Sequence, residues 1–225
     1  MRSRTAKWRF RVNSRLRRQT YRRVLEEASI WERWRNLSGG IVLDYGCGTG
    51  WFGQRLLERG FRVLGLEVQR EFLQEARSRA DGDRALLVLY AGGTIPLKKE
   101  SVDLILAVGV VRSLMDRGPL DWAVEEWRRC LRSHGRLLLI ETDNAALRRK
   151  ITVEGIREAL TRQDFRVLAW HPIRKTSWWG LGLVKAGLLP FALYGRMAGW
   201  ELRRRREERV HPKCKMAYMG EFLKS

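Results

Sequence analysis

Cysteine and histidine are scarce in this chain, three of each among 225 residues. Cys47, Cys130 and Cys214 are odd in number and far apart. They match neither a disulfide framework nor a zinc-ligand spacing, and they point to a reducing compartment. So few histidines argue against a metal site built on imidazoles, and no metal is expected. Acid is also in short supply: 25 Asp and Glu stand against 45 Lys and Arg, a formal net charge of +20. That surplus implies attraction to polyanions, whether RNA, DNA or an anionic membrane surface. The plainer alternative is a chain that is Arg-rich on every face, since arginine occurs in every segment. Residues 1–25 carry ten basic residues and no acid, and no apolar core of a secretory signal follows. Such a start can also mimic an organelle transit peptide. The expectation is a cytoplasmic protein, with membrane association as an alternative.

What is present is centred on Ile41–Phe52, IVLDYGCGTGWF. Ile41, Val42 and Leu43 read as a short buried strand closed by Asp44. Gly46, Gly48 and Gly50 follow, each separated by one residue, and Trp51–Arg59 reads as a helix ended by Gly60. Strand, glycine turn and helix together form a nucleotide-binding device. Glycine lets the backbone turn tightly and lets a ligand approach it, and the first helical N–H groups are left to face that ligand. The dinucleotide fingerprint G-x-G-x-x-G is missing, because position 51 is Trp51. Further along, Phe61–Leu66 reads as a second strand ending at Glu67, 23 residues beyond Asp44. An acid at that strand tip suits two ribose hydroxyls, since a carboxylate acceptor makes such bonds strong.

The pattern D-x-G-x-G-x-G resembles motif I of the class I S-adenosylmethionine-dependent methyltransferases, whose common form is LDxGCGTG. The closer likeness is to the small-molecule, type 11-like branch. The resemblance implies a doubly wound, Rossmann-like seven-stranded sheet with an antiparallel last strand. It also implies S-adenosylmethionine as cofactor, its methionine end packed on the glycine turn and oriented by Asp44. The implied cofactor-binding set is Asp44, Tyr45, Gly46, Cys47, Gly48, Gly50, Glu67, Val68, Ala91, Gly92 and Val108. After the third strand, Ala85–Leu89, the family usually has Gly-Asp-Ala, Leu-Pro-Phe and a Phe-Asp pair. Here the text is Tyr90-Ala91-Gly92, Ile95-Pro96-Leu97 and Val102-Asp103. The acid that contacts the adenine amino group in the family aligns with Ala91, which leaves adenine to backbone groups at Ala91 and Gly92 and to apolar packing.

The fourth strand is Leu104–Val108. Val110-Val111-Arg112-Ser113-Leu114 then stands where the small-molecule branch reads V-L-H-H-L, which puts Arg112 and Ser113 towards the substrate. An arginine there can hold a carboxylate or phosphate in bidentate fashion, or simply be a solvated helix-start residue. No NPPY-type motif follows, which lowers adenine or glutamine amino groups as acceptors. Leu120–Cys130 reads as an amphipathic helix. Leu131–Arg136 copies the family's turn into a fifth strand, Leu137–Glu141, with His134 in a turn-glycine place. Asp143, just after that strand, is a candidate general base or else the N-cap of the next helix. Thr152–Leu160 is a capped helix, Asp164–Trp170 a sixth strand, and Lys215–Leu223 a candidate seventh.

The expected organisation is a basic helical segment at 1–38, a methyltransferase core at 39–172, an apolar and Arg-rich insertion at 173–212, and a final strand at 213–225. Thr20–Leu37 reads as one helix with an aromatic stripe. Trp178–Trp200 holds two charges, Lys185 and Arg196, five glycines and a central Pro190. It reads as a lid over an apolar substrate, as an interfacial membrane hairpin with tryptophans at both ends, or as a helical pair finishing the core. In the membrane reading each of Arg203–Arg206 contributes on the order of 1 kcal/mol at anionic headgroups. The implied activity is methyl transfer to a small-molecule or lipid-like acceptor. The alternatives are RNA methylation, on the charge, and a non-catalytic binding protein of the same fold, on Ala91.

Overall fold

The computed structural model describes residues 34–80, 83–142, 151–175 and 216–224, with isolated positions between 183 and 193. The chain divides into two compact units, 1–35 with 172–217 and 36–171 with 218–225, and the second holds almost all of the described residues. Its strands are β1 (Ile41–Tyr45), β2 (Arg62–Glu67), β3 (Ala85–Leu89), β4 (Val102–Val108), β5 (Leu131–Thr142), β6 (Phe165–Lys175) and β7 (Met216–Lys224). The helices are α1 (Trp51–Leu57), α2 (Arg70–Arg77), α3 (Val111–Met115), α4 (Leu120–Cys130) and α5 (Val153–Arg162).

These seven strands form one sheet in the order β3-β2-β1-β4-β5-β7-β6, with the last strands antiparallel. β1 pairs in parallel with β2 on one side and β4 on the other, Asp44 lying opposite Gly65 and Leu106. The winding therefore reverses between β1 and β4, and in such sheets the crevice at the strands' carboxyl ends is where ligands bind. Buried on both faces, the central strands read as unbroken apolar runs, with Leu104, Ile105, Leu137 and Leu138 fully enclosed. α4 buries Leu120, Ala123, Val124 and Trp127 at helical spacing against them. Thr152 caps α5 by accepting from the Gly155 N–H at 3.0 Å.

The predicted boundaries shift where local geometry intervenes. α1 stops at Leu57, short of Arg59, because the chain tightens: the Arg59 and Gly60 N–H groups reach back only three residues, to Leu56 and Leu57. β5 begins at Leu131, six residues before the predicted strand. Val102 pairs with Leu131 and Leu104 with Arg136, so β5 carries an irregularity at the expected turn, with His134 at φ 61°. β6 runs on to Lys175, beyond the predicted Trp170. β7 lies beside β5, where the buried Glu221 pairs with Arg136 at 2.9 Å and Lys224 donates to the Leu131 carbonyl at 2.7 Å. Of the helix predicted at Thr20–Leu37, the described part is a single 3-10 turn at Arg35–Leu37; the rest lies outside the described residues, as does most of Trp178–Trp200. Among the described residues no helix is long and apolar enough to cross a membrane.

Candidate functional site

The glycine turn leaves β1 with Gly46, Gly48 and Gly50 all at positive φ. Two of them show why glycine is required. A Cβ at Gly50 would stand 2.9 Å from the Ala76 backbone, so its absence lets α2 close on the turn. Gly48, at φ 54°, has no neighbour within 4 Å of where a Cβ would be, which leaves that face of the turn open. The amides of Gly46 and Cys47 both donate to the Leu66 carbonyl, at 2.8 and 2.9 Å.

Two carboxylates converge on this turn. Asp44, 2% exposed, projects to the α1 side of the sheet, where the Gly53 N–H bonds to it. Its Oδ2 is buried with no hydrogen-bond partner. Burial, and then the nearby Glu67, push the Asp44 carboxyl up to about 7, the Gly53 N–H pulling the other way. Glu67, 6% exposed, accepts three backbone amides: Gly48 at 2.8 Å on Oε2, Val68 at 2.8 Å and Gln69 at 2.9 Å on Oε1. Glu67 thus ties the exit of β2 to the glycine turn. A carboxylate offers about four acceptor sites, so one remains on Oε2.

The residues implied as cofactor-binding do not all face one place. Strand alternation turns Tyr45 to the face opposite Asp44, where its ring meets Tyr90 at 6.0 Å and Trp127 at 5.6 Å edge-on. Burial pushes the Tyr45 hydroxyl well above its ordinary value; it donates to Tyr90, whose own hydroxyl donates to the Gly93 carbonyl. Cys47 is buried against Leu73, Ala76 and Leu87, and burial drives its thiol far up, so it is no nucleophile. Val68, Ala91 and Gly92 are exposed and Val108 is half-buried at the exits of β2, β3 and β4. Arg112 is exposed on α3. Asp143 lies outside the described residues.

Three supports escaped the sequence. Glu126 accepts the buried Ile95 N–H at 2.7 Å and pairs with Arg129 at 2.8 Å, while Arg129 donates to the Ile95 and Leu97 carbonyls. That clamp fixes the loop between β3 and β4, and the Arg129 guanidinium holds the Glu126 carboxyl below its usual range. Glu141 at the end of β5 caps α3, accepting the Val111 N–H at 3.0 Å. Arg117, beyond α3, donates to the Ala91 carbonyl at 3.1 Å. Glu141 alone carries a faint signal in retrospect: an acid at the end of an apolar strand, where the core should own the position. Among the described residues no cluster of His, Cys, Asp or Glu is suited to hold a metal.

Comparison with known proteins agrees with this geometry. Residues 43–139 match a family model described as a methyltransferase domain. An uncharacterized methyltransferase of Geobacillus thermodenitrificans is 32% identical over 123 residues, 53% of this chain and 55% of that one. A malonyl-[acyl-carrier protein] O-methyltransferase of Erwinia pyrifoliae is 33% identical over 145 residues, 62% of this chain and 49% of that one. The chain thus spans about half the length of the curated relatives it matches. Among solved structures, the geranyl diphosphate C-methyltransferase of Streptomyces coelicolor A3(2), in complex with Mg2+, geranyl diphosphate and S-adenosyl-L-homocysteine, superposes with a TM-score of 0.61 at 12% identity, over 83% of this chain and 72% of that one. Motif, sheet order and family match agree: residues 43–139 match the type 11 methyltransferase-domain family and are carried on a class I, Rossmann-like sheet.

Proposed function

We propose that this protein binds S-adenosylmethionine and transfers its methyl group to a small-molecule or lipid-like acceptor. The observation that carries the reading is the meeting of Asp44 and Glu67, two buried carboxylates, at a glycine turn open at Gly48. The residues fit the cofactor. The unpartnered Asp44 Oδ2 suits its positive charge, the spare Oε2 site of Glu67 suits a ribose hydroxyl, and Gly48 leaves room for close approach. Bound there, the cofactor would supply an electrophilic methyl group on a sulfonium, a leaving group able to keep the bonding electrons when an acceptor's lone pair takes the methyl. The chain's part is alignment, which accounts for much of such a barrier and demands no dedicated base. Arg112, exposed on α3, is suited to hold an acceptor's carboxylate or phosphate. A relative named as a malonyl-[acyl-carrier protein] O-methyltransferase favours an acceptor that is not a nucleic acid.

The second reading, RNA methylation, is favoured by the net charge of +20. We assign 39–172 with 213–225 as the core, and 1–38 and 173–212 as additions that serve a lid or a peripheral contact with anionic membrane, in a cytoplasmic setting. The test has two parts. Calorimetry should detect S-adenosylmethionine binding that Asp44→Ala or Glu67→Ala removes while the fold is kept; unchanged affinity in both variants refutes the site. Incubation with methyl-labelled cofactor and host extract should then place label in organic or small polar fractions. Label in RNA would replace the acceptor class proposed here.

A further inference from the structure

At the exit of β3 the chain lacks an acidic side chain: Ala91 offers a methyl group, and its carbonyl is already engaged. Parallel pairing sets Leu89 opposite Glu67, and the Tyr90 N–H donates to the Glu67 carbonyl at 2.8 Å. The exits of β2 and β3 therefore stand side by side. Glycine turn, Glu67 and residues 91–92 follow one another along the edge as β1, β2 and β3 do. On the cofactor reading above, on which this inference rests, a nucleoside with its methionine end on the turn and its ribose on Glu67 carries its base towards 91–92.

There the group presented is the guanidinium of Arg117. It donates to the Ala91 carbonyl, and its Nη1 lies 3.6 Å from where a Cβ of Gly92 would be. Gly92 sits at φ 108°, which glycine alone adopts freely, so no side chain of residue 92 stands between the loop and that guanidinium. The Tyr90 hydroxyl fixes the same loop from beneath by donating to Gly93. Arg117 is exposed, and its charge is felt at the hydroxyls of Tyr45 and Tyr90. A guanidinium has five N–H donors and no acceptor. It cannot receive the amino group of adenine, whereas it bonds well to ring nitrogens and to a keto oxygen.

We propose that Arg117 makes the base site of this protein a donor site, one that does not select for the adenine amino group and accepts a purine bearing a keto oxygen in its place. Arg117 is then a specificity-determining residue that sequence alignment cannot show, because it comes from the far side of α3 and not from the β3 exit.

The experiment is calorimetric titration of the full chain with S-adenosylhomocysteine and with its deaminated analogue, S-inosylhomocysteine, in wild type and in Arg117→Met. Methionine keeps an unbranched stem at an exposed position and removes the donors. The wild type is expected to bind the two ligands within about threefold of each other. Arg117→Met is expected to weaken the inosyl ligand by about tenfold, and the adenosyl ligand less, as for loss of a charge-assisted hydrogen bond. A wild-type preference of tenfold or more for the adenosyl ligand would overturn the inference and leave the cofactor site standing. Equal weakening of both ligands by Arg117→Met would likewise overturn it. Binding of neither ligand by the wild type would overturn the cofactor reading and this inference together.

Discussion

Asp44 pits stability against binding. Its carboxyl is raised from an ordinary 3.8 to about 7 in the folded chain, chiefly by burial. Between those values the folded state holds a proton that the unfolded state has lost, so stability is highest at the acid end and falls as pH rises towards 7. The gap corresponds to roughly 4 kcal/mol once both states are ionised. Asp44→Asn is therefore expected to raise the unfolding midpoint at pH 8 and to change it little at pH 4, measured by thermal denaturation, while losing affinity for S-adenosylmethionine. A cationic ligand favours the ionised carboxylate, so binding should release a proton and tighten between pH 6 and 8. Calorimetry in buffers of different ionisation enthalpy reads that proton directly, and an affinity flat across the range would contradict it. Asp44, Glu67 and the glycines were legible in the sequence because their spacing is dictated by the turn they form. Tyr45, next to Asp44 on the strand, has its ring on the opposite face, as strand alternation dictates. Arg117 was illegible, since nothing in the order of residues says that position 117 returns to position 91.

At the scale of elements, the loop after β3 owes its shape to α4. With Glu126 removed, the buried Ile95 N–H loses its acceptor and Arg129 loses its counter-charge. Glu126→Ala is expected to cost about 2–4 kcal/mol in denaturant unfolding. The Glu126 carboxyl is held below its usual value, so this contribution is present above the unfolded pKa and declines as pH falls through the folded one. A loss within experimental error would mean that the loop is held by its apolar side chains alone. In the sequence Glu126 and Arg129 look like an ordinary surface pair three residues apart on a helix, and only the fold reveals that the pair faces a buried amide. The strands of the core, by contrast, were legible as apolar runs, and β1 to β4 fall within two residues of their predicted places. β5 and β6 begin or end elsewhere because the irregularity at His134 and the pairing with β7 are tertiary events.

For the whole molecule, a net charge of +20 has a consequence independent of any acceptor. Retention on a polyanion such as heparin should be strong at 50 mM salt and fall steeply by 300 mM, as released counterions lose their advantage. Weak retention already at 50 mM salt would mean that the charge is spread too evenly to act as a surface. The doubly wound order was legible through the likeness of Asp44–Gly50 to the family's motif I, which implies that sheet. The place of β7 was less so, because its pattern fits any sheet edge.

That place imposes a timetable on synthesis. β6 pairs in the sheet with a strand made some forty residues later, so residues 165–175 leave the ribosome before their neighbour 216–224 exists. Until it arrives, the flank of β5 beyond β4 is an open edge, and open edges recruit other chains. A nascent chain halted between the two strands is the form of this protein most in need of a chaperone.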